Sequence, residues 1–229
     1  MASRRSTSVV TARSGPSPAL VVGIVVVMLF AAAVGFGVYR SQQAASGPAA
    51  VPANATAAGV PVGPATAKAT IDIYLDFQCP VCRQYEQQSG ATIDGLVAGG
   101  QAKVVYHPIA ILDRYSTTQY STRAAAASGC AAAAGVFPQF VELLYANQPP
   151  ENGTGLPAAR LVSLGQQAGA TGPDFATCVT DVTYRAWTAS LTDQSSKAGV
   201  NGTPTVQVNG RTIENTDAAL RQAVAAANA

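Results

Sequence analysis

Two cysteines, two residues apart, lie where a strand-like run meets a helix-like run, and few folds accommodate that arrangement. The run Thr70-Ile-Asp-Ile-Tyr-Leu-Asp76 leads in, and Phe77-Gln78-Cys79-Pro80-Val81-Cys82 leads into a helix pattern. Helix positions three apart are neighbours, with Cβ atoms about 5–6 Å apart, so a small adjustment brings two sulfurs within bonding range. Cys79 falls at the helix N-terminus, where free N–H groups and the positive end of the dipole favour a thiolate. Pro80 suits the first helical turn, where its missing N–H would have had no partner. The stretch reads as a redox-active dithiol, with Cys79 as the attacking sulfur and Cys82 as the resolving one. The competing readings are half a zinc site, a structural disulfide and chance. Zinc needs two further ligands at suitable spacing. The remaining candidates, His107, Cys130 and Cys178, are scattered, with no second C-x-x-C, so no metal site is expected.

The compartment is read from the other end of the chain. Residues 19–39 carry no charge, and about 20 apolar residues span a bilayer. Arg4, Arg5 and Arg13 precede the run and only Arg40 follows closely, so the N-terminus is expected in the cytoplasm and the rest outside. Residues 1–18 read as a cytoplasmic tail and 19–39 as an uncleaved transmembrane signal anchor. A cleaved signal peptide is the alternative, with small residues such as Ala44 and Ala45 to cut beside. Residues 40–66, rich in Ala, Pro and Gly, read as a linker. Residues 41–229 hold ten Lys and Arg against twelve Asp and Glu, so no basic surplus points to nucleic acid.

The folded domain is expected over 67–229. A strand at 70–76 alternates Ile71, Ile73 and Leu75 against Asp72, Tyr74 and Asp76. A helix over 80–97 closes at Gly99-Gly100, and a strand over 102–109 follows. Helices are expected at 121–134, 137–147, 157–168 and 175–197. Two short strands, 205–208 and 211–214, flank Asn209-Gly210, a hairpin signal, and a last helix covers 216–227. A β-α-β half, a helical block and a β-β-α half make an α/β domain with a mixed sheet.

A second motif, Gly202-Thr203-Pro204-Thr205, opens the hairpin strand. Together with Asp76-Phe-Gln-Cys-Pro-Val-Cys82, the helical block at about 117–200 and Val208-Asn-Gly210, it makes residues 67–229 resemble the DsbA-like branch of the thioredoxin superfamily. The resemblance implies an α/β thioredoxin fold with a helical insertion, here preceded by one transmembrane helix. It implies that Pro204 is cis and faces the cysteine pair. It also implies that Thr203 offers backbone hydrogen bonds to an extended substrate segment, a form of strand addition. The implied activity is thiol–disulfide exchange, without a cofactor, that oxidises cysteine pairs of exported proteins. A quinone-linked membrane thiol oxidase would reoxidise the dithiol.

Three departures bear on that reading. Val81 stands where some relatives have a thiolate-supporting histidine, so a milder oxidant is expected. Ile73 stands where many relatives have an acid in the strand, six residues before the first cysteine; Asp76 is the better substitute than Asp72 as proton acceptor, or else an acid capping the approach to the helix. No dimerisation domain precedes the fold, so a monomer is expected rather than a dimeric isomerase. Cys130 and Cys178 make an even count in an exported domain, which favours a structural disulfide; two buried thiols or a second redox pair are the alternatives. His107 reads as a partly buried structural residue, or otherwise a ligand or acid–base group. The rival functions are a disulfide reductase or isomerase of particular clients, a copper-binding metallochaperone on the same scaffold, and a non-catalytic interaction module.

Overall fold

The computed structural model describes residues 49–229, together with Val21, Val22, Ile24, Met28, Phe30, Ala31, Val34 and Gly35, which are helical. The expected tail 1–18 and most of the expected span 19–39 lie outside the described residues. Among the described residues no helix is long and apolar enough to cross a membrane.

Alternation along the first long strand organises the domain. In β2 (Ala69–Leu75) Ile71, Ile73 and Leu75 are buried, while Thr70, Asp72 and Tyr74 are half-buried. Each large apolar side chain so buried contributes roughly 1.5–3 kcal/mol relative to exposure. β2 is the middle strand of a five-stranded sheet ordered β1 (Val60–Val62), β3 (Ala102–Pro108), β2, β4 (Thr205–Val208) and β5 (Arg211–Thr212). β3 (Ala102–Pro108) runs parallel to it, with Ile71 opposite Val104 and Ile73 opposite Tyr106. The parallel crossover is α1 (Pro80–Ala98), whose buried Cys82, Tyr85, Ser89, Thr92 and Ile93 follow helical spacing. Gly99 and Gly100 close this helix through N–H bonds to Gly95 and Val97, as expected. On the other side of β2, β4 (Thr205–Val208) pairs antiparallel, and β5 (Arg211–Thr212) completes the hairpin. A final helix, α7 (Asp217–Asn228), has Thr216 as its N-cap, accepting from the N–H of Ala219 at 3.2 Å, and packs against α1, β2 and β4.

Between β3 and β4 lies the helical block: α2 (Tyr120–Ala133), α3 (Phe137–Ala146), α4 (Ala158–Gln167), α5 (Pro173–Thr180) and α6 (Arg185–Lys197). The small side chains of α2, Ala124 to Ala127 and Ala131 to Ala132, are buried, which lets neighbouring helices approach closely. Gly165 on α4 has the same logic, since a Cβ there would overlap the Phe175 ring. One helix expected over 175–197 is in fact two. The chain turns at Val182, whose φ is 50°, and the N–H of Thr183 bonds to Cys178. The intervening Thr180-Asp-Val-Thr183 is rich in β-branched residues, poor helix formers.

The expected linker needs a second correction. The folded unit begins at Ala49, not at residue 67. Within it, β1 (Val60–Val62) pairs antiparallel with β3 and extends the sheet, and Val60 is buried. Asn54 donates to the carbonyl of Ala132, and the Trp187 indole of α6 donates to that of Thr56 at 2.9 Å. Gly59, at φ 150°, lies so close to the Tyr106 carbonyl that a Cβ would overlap it. Local composition disguised this segment because its order comes from β3, α2 and α6 rather than from its own side chains.

Candidate active site

The end of β2 delivers the chain to the cysteines through a turn held at every point. Asp76 carries that turn. Its Oδ1 accepts from the N–H of Gln78 at 2.9 Å, and its Oδ2 accepts from the N–H groups of Ile111 and Leu112, each at 3.0 Å. The N–H of Cys79 closes the turn on the Asp76 carbonyl at 3.0 Å. Asp76 is fully buried, and burial pushes its carboxyl up to about 6 against the pull of those N–H donors. Of the two roles expected for it, the turn-forming one is visible in its hydrogen bonds.

Cys79 is the N-cap residue of α1, with extended backbone, and Pro80 takes the first helical position. Both cysteines are unbonded and buried, yet only Cys79 lines the groove that opens beside them. As a thiol, Cys79 Sγ donates to the Thr203 carbonyl at 3.3 Å. The Thr203–Pro204 peptide is cis. The Cys79–Thr203 contact joins two motifs 124 residues apart at one sulfur. The Cys79 thiol is lowered to about 6, chiefly because the Cys82 thiol donates to the thiolate. Burial opposes this, while Thr203 and the N–H groups of Cys82 and Val81 assist. Cys82 moves the other way, held well above an ordinary thiol by burial and by the neighbouring Cys79 charge. Such a split leaves one sulfur as thiolate at neutral pH and its partner as thiol.

The groove has a volume of about 640 Å³. Ile109, Ile111, Leu112 and Val200 give it apolar walls; Thr192, Ser196, Asn201 and Thr203 add hydroxyl and amide groups, and Arg114 and Glu151 supply charge. Val81, 53% exposed, stands beside Cys79 and brings no charge.

The remaining candidates lie elsewhere. Cys130 on α2 and Cys178 on α5 are joined, with an S–S distance of 2.05 Å, so the reading as two buried free thiols does not apply. His107 pairs with Asp72 at 2.9 Å and stacks on Tyr74, 4.1 Å between ring centres. That is the structural role expected of it, and it lines a different hollow from Cys79. Among the described residues no group of three or more His, Cys, Asp or Glu is arranged to hold a metal.

Sequence reasoning missed three supports. The Gln78 amide donates to the Leu112 carbonyl at 3.0 Å. Tyr145 on α3 donates to the Asp76 carbonyl at 3.4 Å. Gln148, just past α3, donates to the carbonyls of Phe77 at 2.9 Å and Cys79 at 3.0 Å. No local pattern marks these residues, because each acts across a long sequence separation.

Comparison with known proteins agrees with this geometry. Residues 55–226 match the family model described as Thioredoxin, and the chain belongs to that family. The crystal structure of oxidised DsbA from Mycobacterium tuberculosis is 33% identical, with a TM-score of 0.63, over 72% of this chain and 89% of that one. Reduced DsbG from the same organism is 32% identical, with a TM-score of 0.61, over 76% of this chain and 92% of that one. Within the thioredoxin family the protein is therefore a DsbA-like thiol:disulfide oxidoreductase. A stretch of 128 residues, 53% of this chain, is also 37% identical to part of the serine/threonine-protein kinase PknE of M. tuberculosis. The match spans only 22% of that kinase.

Proposed function

We propose that the protein oxidises cysteine pairs of exported proteins outside the cytoplasm, through a disulfide between Cys79 and Cys82. One observation carries the reading: Cys79 stands at the N-cap position of a helix while its sulfur touches the Thr203 carbonyl beside Pro204. A substrate thiolate attacks Cys79 of the oxidised pair. The Cys79–Cys82 bond breaks, and Cys82 leaves with the electron pair and takes a proton. A second substrate thiolate then attacks the substrate sulfur of the mixed disulfide, and Cys79 leaves as a thiolate. The substrate ends oxidised and the protein reduced. Thr203 and Pro204 dock the extended substrate strand, Pro80 starts the helix, and Asp76 holds the turn.

The direction rests on Cys79. Its folded-state value is depressed from 9.0 to about 6. The resulting stabilisation of the reduced form is complete above pH 9 and lost as pH falls through 6. Across neutral pH it favours the reduced protein, hence oxidation of substrate. The uncharged Val81 favours a weaker oxidant than a histidine at that position would. The run 19–39 tethers the domain to the membrane, facing outward, and a membrane thiol oxidase restores the disulfide. The copper reading loses support because His107 is committed to Asp72 and Tyr74.

Incubating the oxidised protein with a reduced, unfolded substrate tests the direction. Oxidative refolding of the substrate is expected. Efficient reduction of disulfides with no oxidation would overturn the oxidase reading in favour of a reductase.

A further inference from the structure

We propose that Gln148 is a positioning residue for the exchange reaction: its side-chain amide holds the backbone on both sides of Gln78 so that Cys79 stays aimed at Thr203 and at the first turn of α1. The inference rests on the reading of Cys79 and Cys82 as the exchanging pair.

The geometry is specific. Gln148 Nε2 lies 2.9 Å from the Phe77 carbonyl and 3.0 Å from the Cys79 carbonyl. Both partners are acceptors, so only the amide nitrogen can face them, and its two N–H bonds match them one to one. The Cys79 carbonyl also accepts the first helical bond, from Arg83 at 3.2 Å. The peptide between Phe77 and Gln78 is therefore held at both ends. Gln148 takes its C=O, and the Asp76 carboxylate takes its N–H at 2.9 Å. The peptide between Cys79 and Pro80 has no N–H, so its carbonyl is the only polar handle on its orientation.

The clamp comes from the helical block, not from the strand or helix that carry the cysteines. Gln148 is 69 residues from Cys79 and follows α3, whose Tyr145 already donates to the Asp76 carbonyl. Thr203 reaches the same sulfur from the opposite motif. Freed from Gln148, the two peptides can rotate. The Cys79 sulfur then loses its alignment with the N–H groups of Val81 and Cys82, which stabilise its thiolate. Gln148 touches no reacting atom and acts only through this backbone.

The test compares the reduced full-length protein with Gln148→Met, which keeps the size but loses both donors, and Gln148→Glu, which turns an acceptor toward two carbonyls. Gln194→Met is the control; it removes a comparable amide bond, Gln194 to the Ala57 carbonyl at 3.2 Å, that does not contact the cysteine turn. The readouts are the pH midpoint for Cys79 alkylation by iodoacetamide and the rate of exchange with oxidised glutathione. For both Gln148 variants the midpoint is expected to rise by about half a pH unit or more, roughly a threefold change in the ionisation constant. Exchange is expected to slow severalfold, with the control unchanged. Wild-type midpoints and rates in both variants would overturn the role of Gln148 alone. A wild-type protein inert in exchange would instead overturn the reading of the cysteine pair itself. Should the variants not fold, proton exchange of the Gln148 side-chain amide in the wild type decides the matter. Protection supports the clamp, and exchange at the rate of a free amide overturns it.

Discussion

The protein has two cysteine pairs of opposite design. Cys79 and Cys82 are three residues apart, unbonded, and unlike each other in ionisation: one lowered to about 6, the other raised. Cys130 and Cys178 are 48 residues apart and bonded. In the first pair Cys79 meets a helix terminus, a carbonyl and an open groove. In the second they join two helices of the insertion, where closing a loop of that size constrains the unfolded chain by about 4 kcal/mol in the chain-entropy picture. Proximity in sequence suits a bond that must open and close. Distance in sequence suits a bond that must hold.

That contrast breaks most sharply at Cys79. Cys79→Ser is expected to reduce exchange with a disulfide substrate to the uncatalysed rate, whereas the double change Cys130→Ser and Cys178→Ser leaves the Cys79 alkylation midpoint where it was. Parallel exchange assays and alkylation curves check both; loss of exchange only in the second protein would invert the assignment of roles. The same double variant is expected to lose about 2–5 kcal/mol of unfolding free energy by denaturant titration. A loss under about 0.5 kcal/mol would remove the structural role from that bridge, being no more than an ordinary surface change costs.

Asp76 belongs to the first pair's surroundings, and its substitution is expected to cost less. Asp76→Asn keeps the shape but leaves an NH₂ facing backbone N–H donors that now bond to carboxylate oxygens. A loss of about 1–3 kcal/mol is expected from thermal or denaturant unfolding. Stability within about 0.3 kcal/mol of wild type would show that the turn does not depend on the carboxylate.

A pH titration sharpens the electrostatics. Cys79 is depressed in the reduced fold, so its contribution to stability falls as pH drops from 9 through 6. The stability of the reduced form relative to the oxidised form is therefore expected to decline across that window and level off below it. A difference that is flat from pH 5 to 9 would contradict the lowered Cys79 value.

Much of this was legible residue by residue. Period-two alternation marked β2, helical spacing and Gly99-Gly100 bounded α1, and Asn209-Gly210 marked the hairpin, because each signal is local and the chemistry of a turn or face lies in adjacent side chains. The cysteine pair and the Thr203-Pro204 motif were legible for the same reason. What lay outside local pattern was β1, whose three residues are a strand only because the edge of β3 is there to pair with them. The break at Val182 was also hidden, since no proline or glycine marks it, only the β-branched run Thr180-Asp-Val-Thr183.

For the site, the sequence determined which sulfurs exist, that they stand at a strand–helix junction, and that a proline loop follows the helical block. Tertiary structure decided which sulfur faces the groove, that the Thr203 carbonyl reaches it, and that Tyr145 on α3 and Gln148 just past it brace the turn. The division has a physical cause. Side-chain identity and spacing set local backbone preference, whereas the surroundings of Cys79 are assembled from segments 69 and 124 residues away, where Gln148 donates to its carbonyl and the Thr203 carbonyl accepts from its thiol.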